Sequence, residues 1–256
     1  IEIGILGEGK RSVRLNGLPV RKISELMGAL NSIVFAPEDL RIIKESPSLR
    51  RRMMDMELCK ISPGYYRSLQ SYSLALKSKN KLLKNPRADA GVLSAYGEQM
   101  AAYGADMIAQ RAAFVEQLNA CTARFYRNLQ GVSEGIEIRY KCSAEVENAR
   151  ESLLAKMQAN AAREREMGVC LTGPHREDLE ILINGRDSKI YASQGQQRTA
   201  MLAIRLASLE VAQAQTGEAP VLLLDDVFSE LDRRRRESLM EIVSGNQVFI
   251  TCTDME

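Results

Sequence analysis

Residues 191–232 read YASQGQQRTAMLAIRLASLEVAQAQTGEAPVLLLDDVFSELD and join four patterns in one continuous stretch. A Gly/Gln-rich turn comes first, a long amphipathic helix follows, and an apolar strand then ends in two aspartates before a Ser-x-Leu-Asp turn. Each pattern is typical of a piece of a nucleotide-hydrolysing site. Such a site also needs a phosphate-binding loop, which this stretch does not contain.

The apolar strand PVLLLDD ends in Asp225 and Asp226. Magnesium bound to nucleotide phosphates needs a hard oxygen ligand at the carboxyl end of a buried strand, which predicts that Asp225 holds Mg²⁺. A second carboxylate beside it can orient or deprotonate the attacking water, which gives Asp226 a catalytic role. Taken alone, the pattern also fits a second interpretation, in which acidic residues merely end a strand.

The upstream turn ASQGQQRT is similar to the Leu-Ser-Gly-Gly-Gln signature of ABC-type ATPases. Ser193, Gly195 and Gln196 match that signature, whereas Ala192 and Gln194 replace its Leu and its first Gly. A small turn that opens a helix offers free backbone N–H groups, the positive end of the helix dipole and a serine hydroxyl to a γ-phosphate. We therefore expect ATP to be contacted by the four residues Ser193, Gln194, Gly195 and Gln196.

The turn SELD, residues 229–232, begins three residues after Asp226. This is the position of the loop that crosses to the partner subunit in ABC-type ATPases, so Asp232 is expected to couple two nucleotide sites. Three patterns thus follow one another: the signature, an apolar strand with two aspartates (the Walker B pattern) and this D-loop. In this order and spacing they are far more specific together than any one of them alone.

A phosphate-binding loop needs the pattern G-x-x-x-x-G-K-[ST] between a strand and a helix. Residues 4–11, GILGEGKR, supply both glycines and the lysine, but Arg11 stands where the magnesium-binding Ser or Thr belongs. The residues that follow alternate like a strand, so we interpret this segment as a hairpin turn with a solvated lysine. Because the sequence begins at Ile1 inside a strand pattern without an initiator Met, and ends just after another strand pattern, we expect a fragment cut at both ends.

The pattern along the chain predicts an α/β fold with a helical excursion. Residues 1–45 read as a β-hairpin, a strand and a helix of an ATPase head, and residues 132–256 as its carboxyl-terminal part with signature, Walker B and D-loop. Within this last part, NARESLLAKMQANAARERE reads as one polar helix and GVCLTGPHREDLEILING as two strands around a turn. The fold class expected is a partial ABC-type ATPase head with an inserted helical lobe.

Residues 46–131 are expected to form that lobe, an arm of two antiparallel helices joined by the turn NPRADAG. Apolar residues in its second half recur at steps of three and four, like the seam of a coiled coil. Ordinary helices packed in a core are the alternative interpretation. The seam comprises Leu93, Tyr96, Met100, Tyr103, Met107, Phe114, Leu118, Cys121 and Phe125.

The overall composition excludes several classes of protein. The 256 residues are 45% hydrophobic, which is enough to bury a sizeable core, and the net charge of +2 leaves nucleic-acid binding to local clusters of charge. The five cysteines lack metal-binding spacing and are typical of reduced thiols in a cytoplasmic protein. No apolar run approaches the ~20 residues of a membrane span, so no membrane contact is expected.

Two further features allow a structural or a functional interpretation. Basic residues cluster in the lobe, either as a solvated helix face or as a stripe that follows the phosphates of double-stranded DNA. His175, the only histidine, and Arg176 lie in TGPHRED and either serve packing or reach phosphate or a dimer partner. The basic cluster comprises Arg50, Arg51, Arg52, Arg67, Lys77, Lys79, Lys81, Lys84 and Arg87.

Nearly the whole sequence resembles the RecF family of bacterial recombination-mediator ATPases, which is related to SMC heads. The likeness is carried by SQGQQRT, LLLDDVFSELD, GPHREDLE, FAPEDLRIIKESPSLRRR and VFITCTD. The resemblance implies that Asp225 holds Mg²⁺, that Asp226 activates water where transporters usually carry Glu, and that Ser193 to Gln196 close on ATP bound to the opposite subunit. The switch histidine of ABC transporters has no counterpart at the last strand end, where a threonine, Thr251 or Thr253, would be the residue to bond the γ-phosphate. The resemblance also implies that the true phosphate-binding loop lies upstream.

The same resemblance implies a function and its partners. The protein would form an ATP-dependent homodimer, bind DNA at single-strand gaps and help to load recombinase in repair and replication restart, together with RecR and RecO. Two other hypotheses stay open at this point. One is an SMC-like structural ATPase head, and the other is a DNA-binding module whose nucleotide site does not hydrolyse.

Overall fold

A three-stranded parallel sheet carries the two aspartates. In the computed structural model, which describes residues 1–5, 11–26, 28–130 and 134–252, β8 (Val221–Asp225) lies between β4 (Ser32–Phe35) and β9 (Val248–Thr251). Leu222 and Leu224 face a buried layer, as expected for the central strand of a parallel sheet. The opposite face carries a row of paired residues, Val34, Leu223 and Phe249, of which the first and last are exposed.

Two antiparallel sheets complete the strand content of the described residues. The predicted amino-terminal hairpin is present as β1 (Glu2–Ile5), β2 (Arg11–Leu15) and β3 (Leu18–Pro19). The second sheet consists of β5 (Ile136–Lys141), β6 (Asp178–Ile183) and β7 (Arg186–Asp187). The segment GILGEGKR includes residues 6–10, which lie outside the described residues.

Helices connect and cover these sheets. They are α1 (Leu40–Lys44), α2 (Pro47–Ile61), α3 (Pro63–Leu83), α4 (Ala90–Gln130), α5 (Ala149–Ala159), α6 (Ala161–Met167), α7 (Ser188–Tyr191), α8 (Gln194–Thr216) and α9 (Arg233–Val243). Short 3₁₀ turns lie at Ile23–Leu26, Pro37–Asp39, Pro174–Arg176 and Phe228–Glu230. Within the described ranges, no helix is long and apolar enough to cross a membrane.

The predicted antiparallel helical hairpin is present as α3 and α4. Its long helix also packs against α8, α5 and β5, so it is covered along much of its length. Its buried positions form a stripe wider than a two-helix seam, and small residues such as Gly97, Ala101 and Gly104 belong to that stripe. Tyr103, assigned to the seam from the sequence, is exposed. The lobe limits 46–131 stay a prediction.

The sequence interpretation was wrong in two local features between residues 148 and 173. The predicted single polar helix is divided into α5 and α6 at Asn160, whose side chain donates to Thr172 Oγ1 at 3.0 Å. Residues 169–172 form no strand, because helices supply the acceptors for their N–H groups. Asn80 Oδ1 accepts from the Cys170 N–H at 2.7 Å and Glu164 Oε1 from the Leu171 N–H at 2.8 Å.

Candidate functional site

The carboxyl end of β8 brings two acidic residues against a threonine of the neighbouring strand. In the parallel register, Asp225 pairs with Thr251 of β9. The Thr251 hydroxyl donates to Asp225 Oδ1 and accepts from the Asp226 N–H at 3.1 Å. Thr251 thereby fixes the orientation of the Asp225 carboxylate and of the following peptide.

Asp226 combines a strained backbone with an unsatisfied carboxylate oxygen. Its φ of +48° lies in the left-handed region, which non-glycine residues rarely adopt. Its Oδ1 is buried and has no hydrogen-bond partner among the described residues, while its carbonyl accepts from Ser229 Oγ at 2.9 Å. Strain and an orphaned buried polar atom at one residue are typical of functional sites.

The donor set at this strand end fits Mg²⁺ that is bound together with a nucleotide. Asp225 is exposed and offers a hard carboxylate oxygen. No group of three or more Asp, Glu, His or Cys side chains within the described ranges could hold a metal by itself. Mg²⁺ is commonly held by one or two carboxylates with phosphate and water oxygens, which is the arrangement that Asp225 permits.

The signature turn forms the amino end of α8. Ser193 is the N-cap: its Oγ accepts from the Gln196 N–H at 3.2 Å, and Gln196 Oε1 accepts from the Ser193 N–H at 2.8 Å. This capping box leaves the Ser193 hydroxyl proton available to an outside acceptor. The amides of Gln194 and Gly195 lie in the first turn, where an α-helix provides no acceptor.

Within the described part of the chain, no neighbouring residue requires a glycine at position 195. A Cβ at this position would meet no heavy atom within 4 Å, and Gly195 is not among the glycines with positive φ. Its missing side chain therefore serves neither local packing nor an unusual backbone conformation. The space beside it admits the close approach of an outside group, as the sequence predicts for a phosphate.

Asp232 is the N-cap of α9. Its Oδ1 accepts from the Arg235 N–H at 3.0 Å and its Oδ2 from Arg235 Nη1 at 3.0 Å. The same guanidinium donates through Nη2 to Gln130 Oε1 at the end of α4. Asp232 is thus held within its own chain, at the start of a series of polar contacts that leads away from the D-loop.

This series connects the D-loop with the signature. Gln130 Nε2 donates to Glu134 Oε2 at 3.2 Å, and Gln196 Nε2 donates to Glu134 Oε1 at 2.9 Å. Tyr126, which is fully buried, donates its hydroxyl to Glu134 Oε2 at 3.1 Å. We name the set Gln196, Glu134, Gln130, Arg235 and Asp232 the signature relay. Glu134 and Gln130 belong to no sequence motif, so no local pattern singled them out.

The signature and the two aspartates lie at different points along the fold. Helix α8 starts at the signature and, with 23 residues, rises about 35 Å. Four linking residues and the five residues of β8 follow before Asp225 is passed. Among the described residues, the side chain of Gln196 donates to Glu134. The two aspartates instead form hydrogen bonds with Thr251 and Ser229, so the two groups have separate partners.

Comparison with known proteins identifies the chain. No protein-family model matches it. The DNA replication and repair protein RecF of Clostridium beijerinckii is 40% identical over 258 residues, covering 100% of this chain and 70% of that protein. RecF of Clostridium botulinum (strain Kyoto / Type A2) is 42% identical over 100% of this chain and 71% of that protein. The chain belongs to the RecF family.

Solved structures agree with the membership in the RecF family. The recombination mediator protein RecF of the RecFOR pathway, as RecF-ATPrS, has a TM-score of 0.89 at 36% identity and covers 99% of this chain and 70% of that chain. The RecF-ATP structure gives 0.88 at the same identity, with 99% and 71% coverage. The Pyrococcus furiosus Smc head domain, at TM-score 0.52, 16% identity and coverage of 98% and 64%, shares the fold.

His175 and Arg176 of this RecF-family chain are held by internal contacts. His175 Nδ1 lies 2.6 Å from the Tyr72 hydroxyl and Nε2 lies 3.1 Å from the Cys170 carbonyl oxygen. Arg176 donates to the same carbonyl through Nε and Nη2. Burial lowers the pKa of His175 to about 4, and the nearby positive charges of Arg176 and Arg51 act in the same direction.

Some basic residues of the lobe are committed to ion pairs or carbonyl oxygens. Lys79 is buried and contacts Glu164 at 2.8 Å, Arg50 forms two hydrogen bonds to Asp178, and Arg51 donates to the Glu177 carbonyl. These three side chains are therefore withdrawn from any stripe that contacts phosphate. The exposed remainder consists of Arg52, Arg67, Lys77, Lys81, Lys84 and Arg87. Thr253 lies outside the described residues.

Proposed function

We propose that this chain is the signature- and Walker B-bearing part of a RecF ATPase that dimerises around ATP. The observation that carries the proposal is the Asp226 carboxylate, with a buried, unpartnered Oδ1 on a strained backbone next to Asp225 at the end of a parallel strand. A carboxylate in this state needs an outside donor. An attacking water beside a nucleotide is a donor that satisfies it.

At the strand end the two aspartates would have different roles. Asp225 is exposed and oriented by Thr251, so it would hold Mg²⁺ together with the phosphates of ATP. The metal supplies positive charge that neutralises the phosphoryl oxygens. Asp226 would orient the attacking water and accept its proton, since its Oδ1 has no competing partner within the described chain.

The signature residues would act on ATP held by the opposite subunit. The free amides of Gln194 and Gly195 and the Ser193 hydroxyl proton provide donors at a helix amino end, which favours a γ-phosphate. Asp232 would couple the two sites through the signature relay. ATP binding by the RecF relatives, and the separate hydrogen-bond partners of the signature and the aspartates, support this arrangement.

The phosphate-binding loop is the remaining part of the proposed site. A parallel sheet is normally covered on both faces, yet Val34 and Phe249 are 44% and 57% exposed beside Leu223. The 256 residues contain no complete G-x-x-x-x-G-K-[ST] pattern, and the RecF relatives are longer than this chain. We propose that this open face receives the segment that carries the loop in the intact ATPase.

DNA and partner proteins belong to the same proposal. The exposed basic side chains of the lobe would follow the phosphates of double-stranded DNA at single-strand gaps, with affinity that falls as salt rises. With RecR and RecO as partners, the ATP-bound dimer would help to load recombinase in the cytoplasm, and hydrolysis would release it. The RecF relatives and the RecFOR pathway to which a structural neighbour belongs support these roles.

The substitution Asp226→Asn in the full-length protein tests the proposal. We expect ATP to be bound but hydrolysed at least about 100-fold more slowly, because the amide cannot accept the proton of water. Analytical ultracentrifugation with ATP and Mg²⁺ should then show a persistent dimer that is absent without ATP. Glu218→Gln, at an exposed position, is the matched control and should behave like the unsubstituted protein. Dimers that dissociate in ATP, or unchanged hydrolysis, would contradict the role of Asp226.

A further inference from the structure

A cleft lies between α2 and α3, on the lobe, and no residue of the signature and neither of the two aspartates lines it. Its volume is about 520 Å³, and its apolar lining includes Met56, Cys59, Leu69, Leu76 and Met107. Met56 is 51% exposed, although it lies next to this apolar surface. The cleft therefore offers an apolar surface that a partner could cover.

The joint between α2 and α3 keeps the cleft in place. Helix α2 ends at Ile61, and Ser62 caps α3 by accepting from the Tyr65 N–H at 3.1 Å. The same hydroxyl donates to Gln110 Oε1 of α4 at 2.7 Å. Because the turn is bound to α4, the two walls and the floor of the cleft belong to one framework.

The floor is fixed by a buried cation that has partners of its own. Arg111 is 1% exposed, and its guanidinium contacts Asp55 and Glu177 at 2.8 and 2.9 Å. Asp55 is the only carboxylate among the described residues that line the cleft, and it also accepts from the Tyr65 hydroxyl. The one carboxylate that lines the cleft in the described residues is therefore already paired within the chain.

Two of the arginines that line the cleft form no ion pair within the described ranges. Arg51 is half-buried and donates to the Glu177 carbonyl; burial lowers its pKa, while the nearby carboxylate of Asp178 acts in the opposite direction. Arg52 is exposed and has no ion pair or side-chain hydrogen bond within the described ranges. An occupant with carboxylates would meet the exposed charge of Arg52.

We propose that the cleft binds an acidic amphipathic helix of a partner protein. Its apolar side chains would cover Met56, Leu69 and Leu76, and its carboxylates would pair with the exposed Arg52. The wall of α2 from Ser48 to Lys60 is about 18 Å long, which matches a helix of about twelve residues. In this mode of recognition a helix lies in a groove, and its apolar side chains at helical spacing make the contacts.

The lining favours protein over nucleic acid. Duplex DNA is bound by rows of exposed cations, whereas the described lining residues include one exposed cation, Arg52, and single-stranded bases stack on exposed aromatic rings. Tyr72, the aromatic residue in the lining besides His175, is 2% exposed, so it offers no ring face to a base. An apolar floor with an exposed arginine matches the chemistry of an acidic amphipathic peptide.

Fluorescence anisotropy with the full-length protein tests the proposal. The probe is a labelled helical peptide of about twelve residues with Leu at i, i+3, i+4 and i+7 and Glu at the exposed positions. We expect saturable binding that weakens at least about ten-fold with Arg52→Glu and with Met56→Glu. Arg163→Glu on α6, an equally exposed arginine, should leave the affinity unchanged. The same peptide with Gln in place of Glu should bind at least about ten-fold more weakly.

Three results would overturn the proposal. These are the absence of saturable binding, equal binding of the Glu and Gln peptides, and affinities that the Arg52 and Met56 substitutions do not change. Displacement of the peptide by duplex DNA, with the same dependence on Arg52, would assign the cleft to nucleic acid instead. Both substituted side chains are exposed, and unchanged thermal unfolding would show that each variant is folded.

Discussion

Asp226 differs in its surroundings from the other strained residues of the chain. Three described non-glycine residues have positive φ, and two of them, Asn16 and Asn184, are followed by glycine in two-residue hairpin turns that favour this conformation. Asp226 lies in no such turn, so its strain of about 1–3 kcal/mol has to be offset by the structure around the strand end. The structure around the strand end thus holds Asp226 in this conformation beside Asp225.

His175 makes stability depend on pH. The pKa of His175 is about 4 in the folded protein, compared with 6.5 for an ordinary histidine. Between these two pH values the unfolded chain therefore binds a proton that the folded chain does not. The contribution of His175 to the free energy of unfolding is fully present above pH 6.5 and is lost as pH falls through 4. Tyr72, Arg176, Arg51 and Glu164 are the titratable and charged groups that act on the ring.

Urea unfolding at pH 7.5 and at pH 4.5 measures this contribution. The unsubstituted protein should lose up to about 3 kcal/mol more of its free energy of unfolding on acidification than His175→Gln does. Because the sequence contains only one histidine, an NMR titration of its ring can be assigned without ambiguity. Equal losses in the two proteins, or a ring that titrates near pH 6.5, would contradict the inferred burial.

At the scale of elements, the signature relay connects the amino ends of α8 and α9 with the end of α4. Glu134 is its central acceptor, since it receives hydrogen bonds from Gln196, Gln130 and Tyr126. Movement of the signature and of the D-loop would therefore be linked through a single carboxylate. A shared acceptor of this kind predicts energetic coupling between the residues that it joins.

The substitutions Glu134→Gln and Gln196→Ala in the full-length protein measure that coupling. Each should raise the ATP concentration needed for half-maximal dimerisation several-fold, and the double variant should be little worse than either single one. Glu137→Gln, at an exposed carboxylate of β5 that pairs with Arg139, is the control and should have no effect. Fully additive effects would show that Glu134 does not position the signature.

Elements with a regular pattern could be predicted from the sequence. The hairpin, the helical pair α3 and α4, and strands β5, β8 and β9 were expected where they are found. Residues 169–172 were assigned wrongly because Asn80 and Glu164 capture their backbone N–H groups, an effect that no local pattern contains. Apolar content alone does not distinguish a strand from a segment held by side chains.

On the scale of the whole molecule, contacts between distant residues join the lobe to the rest of the fold. Arg205 of α8 contacts Asp39 and Glu57, while Arg111 of α4 contacts Glu177. A sequence does not disclose such partners, and it gave no sign that Lys79 is buried. The candidate site residues could be named from the sequence because a nucleotide-hydrolysing site needs these residue types at restricted spacing. No such spacing points to Glu134.

The central claim is that the signature of one subunit completes the site formed by Asp225 and Asp226 of another. Mixing Ser193→Arg and Asp226→Asn full-length proteins tests it, because each variant alone should hydrolyse almost no ATP. If the signature acts across the dimer, one of the two sites in each mixed dimer is intact, and mixing restores about a quarter of the normal ATPase rate. If the signature acts within its own subunit, every site stays defective and mixing restores nothing, which would contradict the account.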